Sequence, residues 1–471
     1  MTRRRLGGGV SVSGSSGPRV RPLGGLALLI GLALAVVMSG PAVAQDPLVG
    51  SGAQDWLGRV VPSGLTPPDR LPPIAIIEDG FDREHPEMQG GWVVERRPGR
   101  RPADPSDEAA GIEHGTAVAS IIGAPRDGRG MEGVLPGARV WVYGTSRLCP
   151  DVAAAVRQAV RDGARVVNVS GGFESAGACG QLRDAVAFAY GSDVLVVASA
   201  GNNRPRQRWV QPGSDWHVLT VGAVNHLDQT TSFSQQNISM DLTAPGEGVL
   251  AAVPVWADLD GVADGYSRLD GTSFSAPMVA AAAAWLMAVR PRWSADQVAY
   301  ALRYSARDLG RRGWDRAYGW GMLDIAAALR ARPPLHDPLE PNEDIRWVTG
   351  RAGFAPDPAL LGRKRRDALR ARLDVAEDPY DLYRVSVPIG RGARITVRSP
   401  SIAVDLRVFR PSARFVGQRG TLVARSTRPG LRDEQVTIVN NGARQPALVE
   451  VRARRGRSLA GTYTLTVALL R

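Results

Sequence analysis

Between residues 71 and 331, five short apolar runs, at 74–77, 139–143, 165–169, 194–198 and 218–224, carry almost no alternating polar residues. Segments with helical character lie between several of them, at 114–122, 151–162 and 181–190, and Gly163 and Gly191 fall where helix stops are expected. A strand buried on one face alternates polar with apolar, whereas a strand without alternation is covered on both. The pattern predicts an α/β fold built on a parallel sheet with helices on both faces. In such sheets functional groups collect at the carboxyl edge of the strands. Glu78-Asp79, Ser170-Gly171-Gly172 and Gly201-Asn202 all follow the ends of predicted strands.

The stretch Gly271-Thr272-Ser273-Phe274-Ser275-Ala276-Pro277 leads into an alanine-rich apolar helix. A serine there either caps the helix or aims its hydroxyl, its N–H and the positive end of the helix dipole at a carbonyl. Two upstream stretches favour the second reading. His114-Gly115-Thr116 is expected to begin a helix just after the turn 111–113, and Glu78-Asp79-Gly80 ends the first predicted strand. A hydroxyl needs a base to take its proton, and an imidazole needs a carboxylate to hold its tautomer. Acid, His and Ser in this order form one of the known chain orders of a hydrolytic triad.

These stretches, at 77–86, 114–116 and 271–277, resemble the three signatures of the subtilisin-like serine peptidases, the subtilase family. The resemblance runs from about Leu71 to Leu329 and implies a subtilisin-like fold and a serine endopeptidase. It implies Ser273 as nucleophile, His114 as base, and the Asn202 amide with the Ser273 N–H as oxyanion donors. It implies Ser170-Gly171-Gly172 as the edge that pairs with substrate backbone, its two glycines leaving room for a peptide. The acid stays open. The family pattern has Asp where this chain has Glu78, and Asp79 follows directly. Neighbours on a regular strand face opposite ways, so one of them serves. Glu78 has the right place and Asp79 the right reach; a misplacement of about 1 Å can cost about a hundredfold. An impaired triad would make the chain a subtilase-fold binding protein, the alternative to a secreted serine endopeptidase. His85 is expected to be structural, and His217, His226 and His336 have no motif around them.

Residues 1–44 read as an export signal, with arginines ahead of a short apolar core and small residues before Ala44. The protein is therefore expected to be secreted or periplasmic, with no membrane span after cleavage. Residues 45–70 form a segment too short for the family's inhibitory propeptide; either folding proceeds unaided or the short piece merely packs on the surface. The catalytic domain is placed at 71–331, and a linker marked by Pro333, Pro334, Pro338 and Pro341 at 332–345. Residues 346–471 change to alternating strands, which predict a small all-β sandwich. The stretches 339–343, 378–383 and 461–465 resemble β-sandwich domains found C-terminal to secreted bacterial peptidases. Arg363-Lys364-Arg365-Arg366 is expected in a solvated loop.

The formal net charge of +12 drops to +7 without the five arginines of the export segment, too little to point to nucleic acid. The expected partners are protein or peptide substrates, and the expected state is a monomer. If the predicted strands before Cys149 and Cys179 are parallel neighbours, both loops emerge at one edge of the sheet, and a disulfide is permitted in an exported chain. Neither has metal-ligand spacing. No cofactor is required; calcium often stabilises this family, but no acidic loop here has clear ligand spacing.

Overall fold

Seven strands form an all-parallel sheet in the spatial order Val93–Arg97, Val140–Gly144, Ile74–Glu78, Val166–Val169, Leu195–Ser199, Val218–Val224 and Leu242–Pro245. The structure is a computed structural model. It describes residues 46–470 apart from 98–104, 175–178, 204–209, 259, 333–334, 352–353, 376, 444, 455 and 457, and omits the side chains of 105–110 and 173–174. The expected export segment lies outside the described residues. From Ile74–Glu78 the chain goes out to the edge strand Val93–Arg97, returns to Val140–Gly144 on the same side, and then crosses to the other neighbour, Val166–Val169. A crevice opens at the carboxyl edge where a parallel sheet reverses its order in this way. Glu78 stands at that point.

The absence of alternation has a direct cause. Ile74 and Ile76 pack into one apolar cluster with the helices Pro105–Gly123 and Thr272–Val289. Ala75 and Ile77 pack into another with Cys149–Arg161 and Gly180–Gly191. Both faces are dry, so both sets are apolar. Thr272–Val289 is long and apolar enough to cross a membrane, but 83% of that window is buried inside the protein, which accounts for its apolarity. Its alanines let it lie close against the central strands.

Two expectations are corrected here. The helix carrying His114 starts at Pro105, so His114 sits in its interior rather than at its first turn. Gly111 reads as a turn but is a close-approach position, since a Cβ there would overlap the carboxylate of Asp79. The segment before residue 71 is not laid on the surface. Trp56 is 1% exposed and donates its indole N–H to the Leu250 carbonyl (2.9 Å), and Leu57 and Val60 join the same core.

After the linker, two four-stranded antiparallel sheets face each other. One holds Arg366–Asp374, Ala460–Leu469, Gly392–Arg398 and Glu434–Val439; the other holds Tyr380–Val385, Ala447–Ala453, Val404–Phe409 and Leu422–Ser426. Ile395, Val397, Leu406, Val408, Val449 and Leu465 fill the space between them. This is the expected sandwich. The basic run is not wholly a loop, because Arg366 begins a strand. Cys149, first residue of its helix, and Cys179, cap of the next, are joined in a disulfide with Cα atoms 6.2 Å apart.

Candidate active site

The carboxylate against the imidazole is that of Glu78. Its Oε2 lies 2.8 Å from Nδ1 of His114, and its side chain is 6% exposed against 26% for the histidine. The strand end is held by pairing of Glu78 with Gly144 and by the Thr145 N–H, which donates to the Glu78 carbonyl. Gly115 brings the His114 helix onto that strand end, for a Cβ there would overlap the carbonyl of Gly80 and press on Cβ of Glu78. Burial alone would lower the pKa of His114, but the Glu78 charge and hydrogen bond outweigh it and the net shift is upward.

Asp79 faces elsewhere. Its Oδ2 is 2.6 Å from Nε of Arg147, whose side chain is 54% exposed. Burial raises the Asp79 pKa, while the arginine pulls it back down. Alternation at the strand end thus sends the two adjacent acids to different partners.

Ser273 lies in the first turn of its helix, and Pro277 four residues on has no N–H to give the Ser273 carbonyl. The hydroxyl of Ser170 supplies the missing donor at 2.8 Å. Asn168 Nδ2 in turn donates to that hydroxyl (2.8 Å), which fixes its direction. In return the Ser273 hydroxyl donates to the Ser170 carbonyl, also at 2.8 Å. The nucleophile candidate is therefore clamped to the end of the Val166–Val169 strand. The imidazole of His114 stands beside Phe274, the next residue along, with ring centroids 5.6 Å apart.

Asn202 is oriented by Thr272. Its Oδ1 accepts from the Thr272 N–H (3.0 Å) and hydroxyl (2.8 Å), and the same hydroxyl accepts from the Gly201 N–H (3.1 Å). That fixes the amide's orientation and leaves Nδ2 as the outward donor, over the Cα of Gly271.

The sequence matches the model of the subtilase family over residues 71–321, more than half of the chain. The chain belongs to the subtilase family. It is 30% identical to fervidolysin of Fervidobacterium pennivorans over 324 residues, 62% of this chain and 45% of fervidolysin. It is 32% identical to subtilisin Savinase of Lederbergia lenta over 264 residues, 55% of this chain and 90% of that protein. Among solved structures, a mutant of the protease domain of PatA superposes with a TM-score of 0.49 at 29% identity, covering 57% of this chain and 97% of that one. The chain thus spans less than half the length of fervidolysin.

In this subtilase the edge at Ser170-Gly171-Gly172 is only partly open. Gly171 is exposed with nothing around a Cβ, but a Cβ on Gly172 would overlap the side chain of Val210. Gly172 is also exposed, and Val210 closes only the direction that a side chain there would take. His85 is buried, with Nε2 2.9 Å from the Gly265 carbonyl and Nδ1 accepting from the Glu87 N–H. That is a structural role. The sequence reading did not single out Arg147 or Thr272. Thr272 sits inside the serine motif and could have been found there; nothing in the local sequence joins Arg147 to Asp79.

Proposed function

We propose that this subtilase is an exported serine endopeptidase with Ser273, His114 and Glu78 as its triad. In this reading the Ser273 hydroxyl leaves the Ser170 carbonyl for Nε2 of His114, which removes the proton as Oγ attacks the peptide carbonyl carbon. The carbonyl π electrons move onto oxygen, and the oxyanion is met by the Ser273 N–H and Nδ2 of Asn202. Collapse breaks the C–N bond, and His114 gives its proton to the leaving amine. Water, deprotonated by His114, then attacks the acyl carbon; the C–Oγ bond breaks, the acid product leaves, and His114 returns the proton to Oγ of Ser273.

The observation that carries this reading is the 2.8 Å contact between Glu78 and Nδ1 of His114, because it fixes the tautomer whose Nε2 is free to act as base. The extra methylene of glutamate is accommodated at the strand end beside Gly115, where no Cβ intrudes. The alternative, a binding protein on an impaired triad, predicts a serine of ordinary reactivity. Intact-mass analysis after treatment with a fluorophosphonate separates them. One adduct on Ser273, lost in Ser273→Ala, supports the peptidase; an unmodified protein supports the binding protein.

A further inference from the structure

Five carboxylates gather where the segment after the catalytic domain meets the β-sandwich. They are Asp337, Glu340 and Glu343 from that segment, and Asp378 and Asp381 from the start of the sandwich. Asp337 and Glu343 are 1% exposed, Asp381 is 0% and Asp378 is 7%. Ionised groups so deeply buried are costly unless paired or bound to a metal. Arg372 lies against Asp337 and Asp378, but burial first and then repulsion among the carboxylates push the pKa values of Asp337, Glu340, Asp378 and Asp381 well up, so the cluster as it stands resists ionisation.

The hydrogen bonding is also incomplete. Oδ1 of Asp337, of Asp378 and of Asp381, and both oxygens of Glu343, are buried without a hydrogen-bond donor among the described residues. Asp337 and Glu340 are held through other atoms. The Arg372 N–H donates to Oδ2 of Asp337 (2.6 Å), and Asn342 donates its amide to Glu340 (2.6 Å). These two side chains are therefore fixed. Ligand atoms of Asp337, Glu340 and Asp378 all lie within 4.8 Å of one another, and so do those of His217, Glu340 and Glu343. His217 comes from the catalytic domain, where its ring stacks on Tyr190 at 3.9 Å. Its Nε2 is 2.7 Å from Oε1 of Glu343, yet neither atom makes a hydrogen bond.

We propose that Asp337, Glu340 and Asp378 bind a calcium ion, and that this ion, with Glu343 against His217, clamps the β-sandwich to the catalytic domain. Hard carboxylate oxygens suit calcium, and its variable coordination suits a set drawn from separate segments. The lone imidazole stands at the catalytic-domain side of the cluster, as the wall the clamp closes on. The inference does not depend on the catalytic reading. The subtilase resemblance allows for calcium without saying where; here the ligands come from segments about forty residues apart, so no local spacing reveals them.

The test uses the full chain, stripped with chelator and then titrated with calcium chloride alone, with bound metal counted by mass spectrometry and unfolding followed by calorimetry. Calcium should raise the unfolding temperature by about 5 °C or more and bring the two domains into one transition. Asp337→Asn with Asp378→Asn should bind one calcium ion fewer per chain than wild type and lose that response. Asparagine keeps the acceptor for Arg372 and relieves repulsion, so the metal-free double variant should be at least as stable as the metal-free wild type. An unchanged calcium count in the double variant overturns the proposal, since the ion then sits elsewhere. So does binding of zinc but not calcium at the cluster.

Discussion

Oε2 of Glu78 lies 2.8 Å from Nδ1 of His114, while the adjacent Asp79 is drawn off by Arg147 at 2.6 Å. Two neighbouring acids are thereby given different work. One faces the imidazole; the other forms an ion pair at the rim. The remaining oxygen of Glu78, Oε1, is buried without a hydrogen-bond donor among the described residues, so the charge of that carboxylate is directed mainly at the ring.

The raised pKa of His114 sets the acid limb of activity. kcat/KM should fall on acidification through a pKa above the ordinary value of about 6.5. The sign for stability is opposite. A group whose folded pKa is raised adds stability that is complete below about 6.5 and fades as pH rises through the folded value. A pH profile of kcat/KM with its acid limb below about 6 contradicts the geometry.

Arg147 acts on the same limb at one remove. Its charge lowers the His114 pKa directly and offsets that of Asp79, which raises it. Arg147→Ala should move the acid limb to higher pH, and adding Asp79→Asn should bring it back toward wild type. A limb that does not move in the single variant would show that exposure to solvent screens the pair completely.

The clamp on Ser273 can be dissected by a double-mutant cycle. Ser170→Ala removes the donor to the Ser273 carbonyl, which should cost about 1–3 kcal/mol in denaturant unfolding. Pro277→Ala restores a helical N–H for that carbonyl, so it should recover part of the loss in the double variant. Strict additivity of the two changes would contradict the donor replacement.

Asn202→Ala should lower kcat about 10²–10³-fold with little change in KM, the size usual for one oxyanion donor in this family. Thr272→Val should give a smaller loss, because it leaves the donor in place but frees its orientation. Steady-state kinetics on one peptide substrate checks both.

Trp56→Ala should destabilise the protein by about 3–5 kcal/mol, the range for removing a large buried aromatic. Equilibrium unfolding in denaturant measures this. A cost under about 1 kcal/mol would show that the segment merely packs on the surface.

The central strands were legible because both faces are dry, and Ile74, Ala75, Ile76 and Ile77 are all apolar as a result. Val93–Arg97 escaped notice because it is an edge strand with charge at Glu95, Arg96 and Arg97. Arg366–Asp374 was hidden in the same way by arginines on its solvent side. The serine motif and His114 could be read locally. The choice between Glu78 and Asp79 could not, since it turns on Arg147, which approaches only after the chain has crossed to the next strand. The junction acids come together from separate segments, and His217 had no motif to draw attention to it.

The most direct measurement compares kcat/KM of wild type, Glu78→Gln and Asp79→Asn on a single peptide substrate at the pH optimum. Glu78→Gln should lose about 10⁴-fold, as expected when the imidazole loses the charge that holds its tautomer, and Asp79→Asn should stay within about tenfold of wild type. The reverse ranking, or equal activity in all three, contradicts a triad built on Glu78.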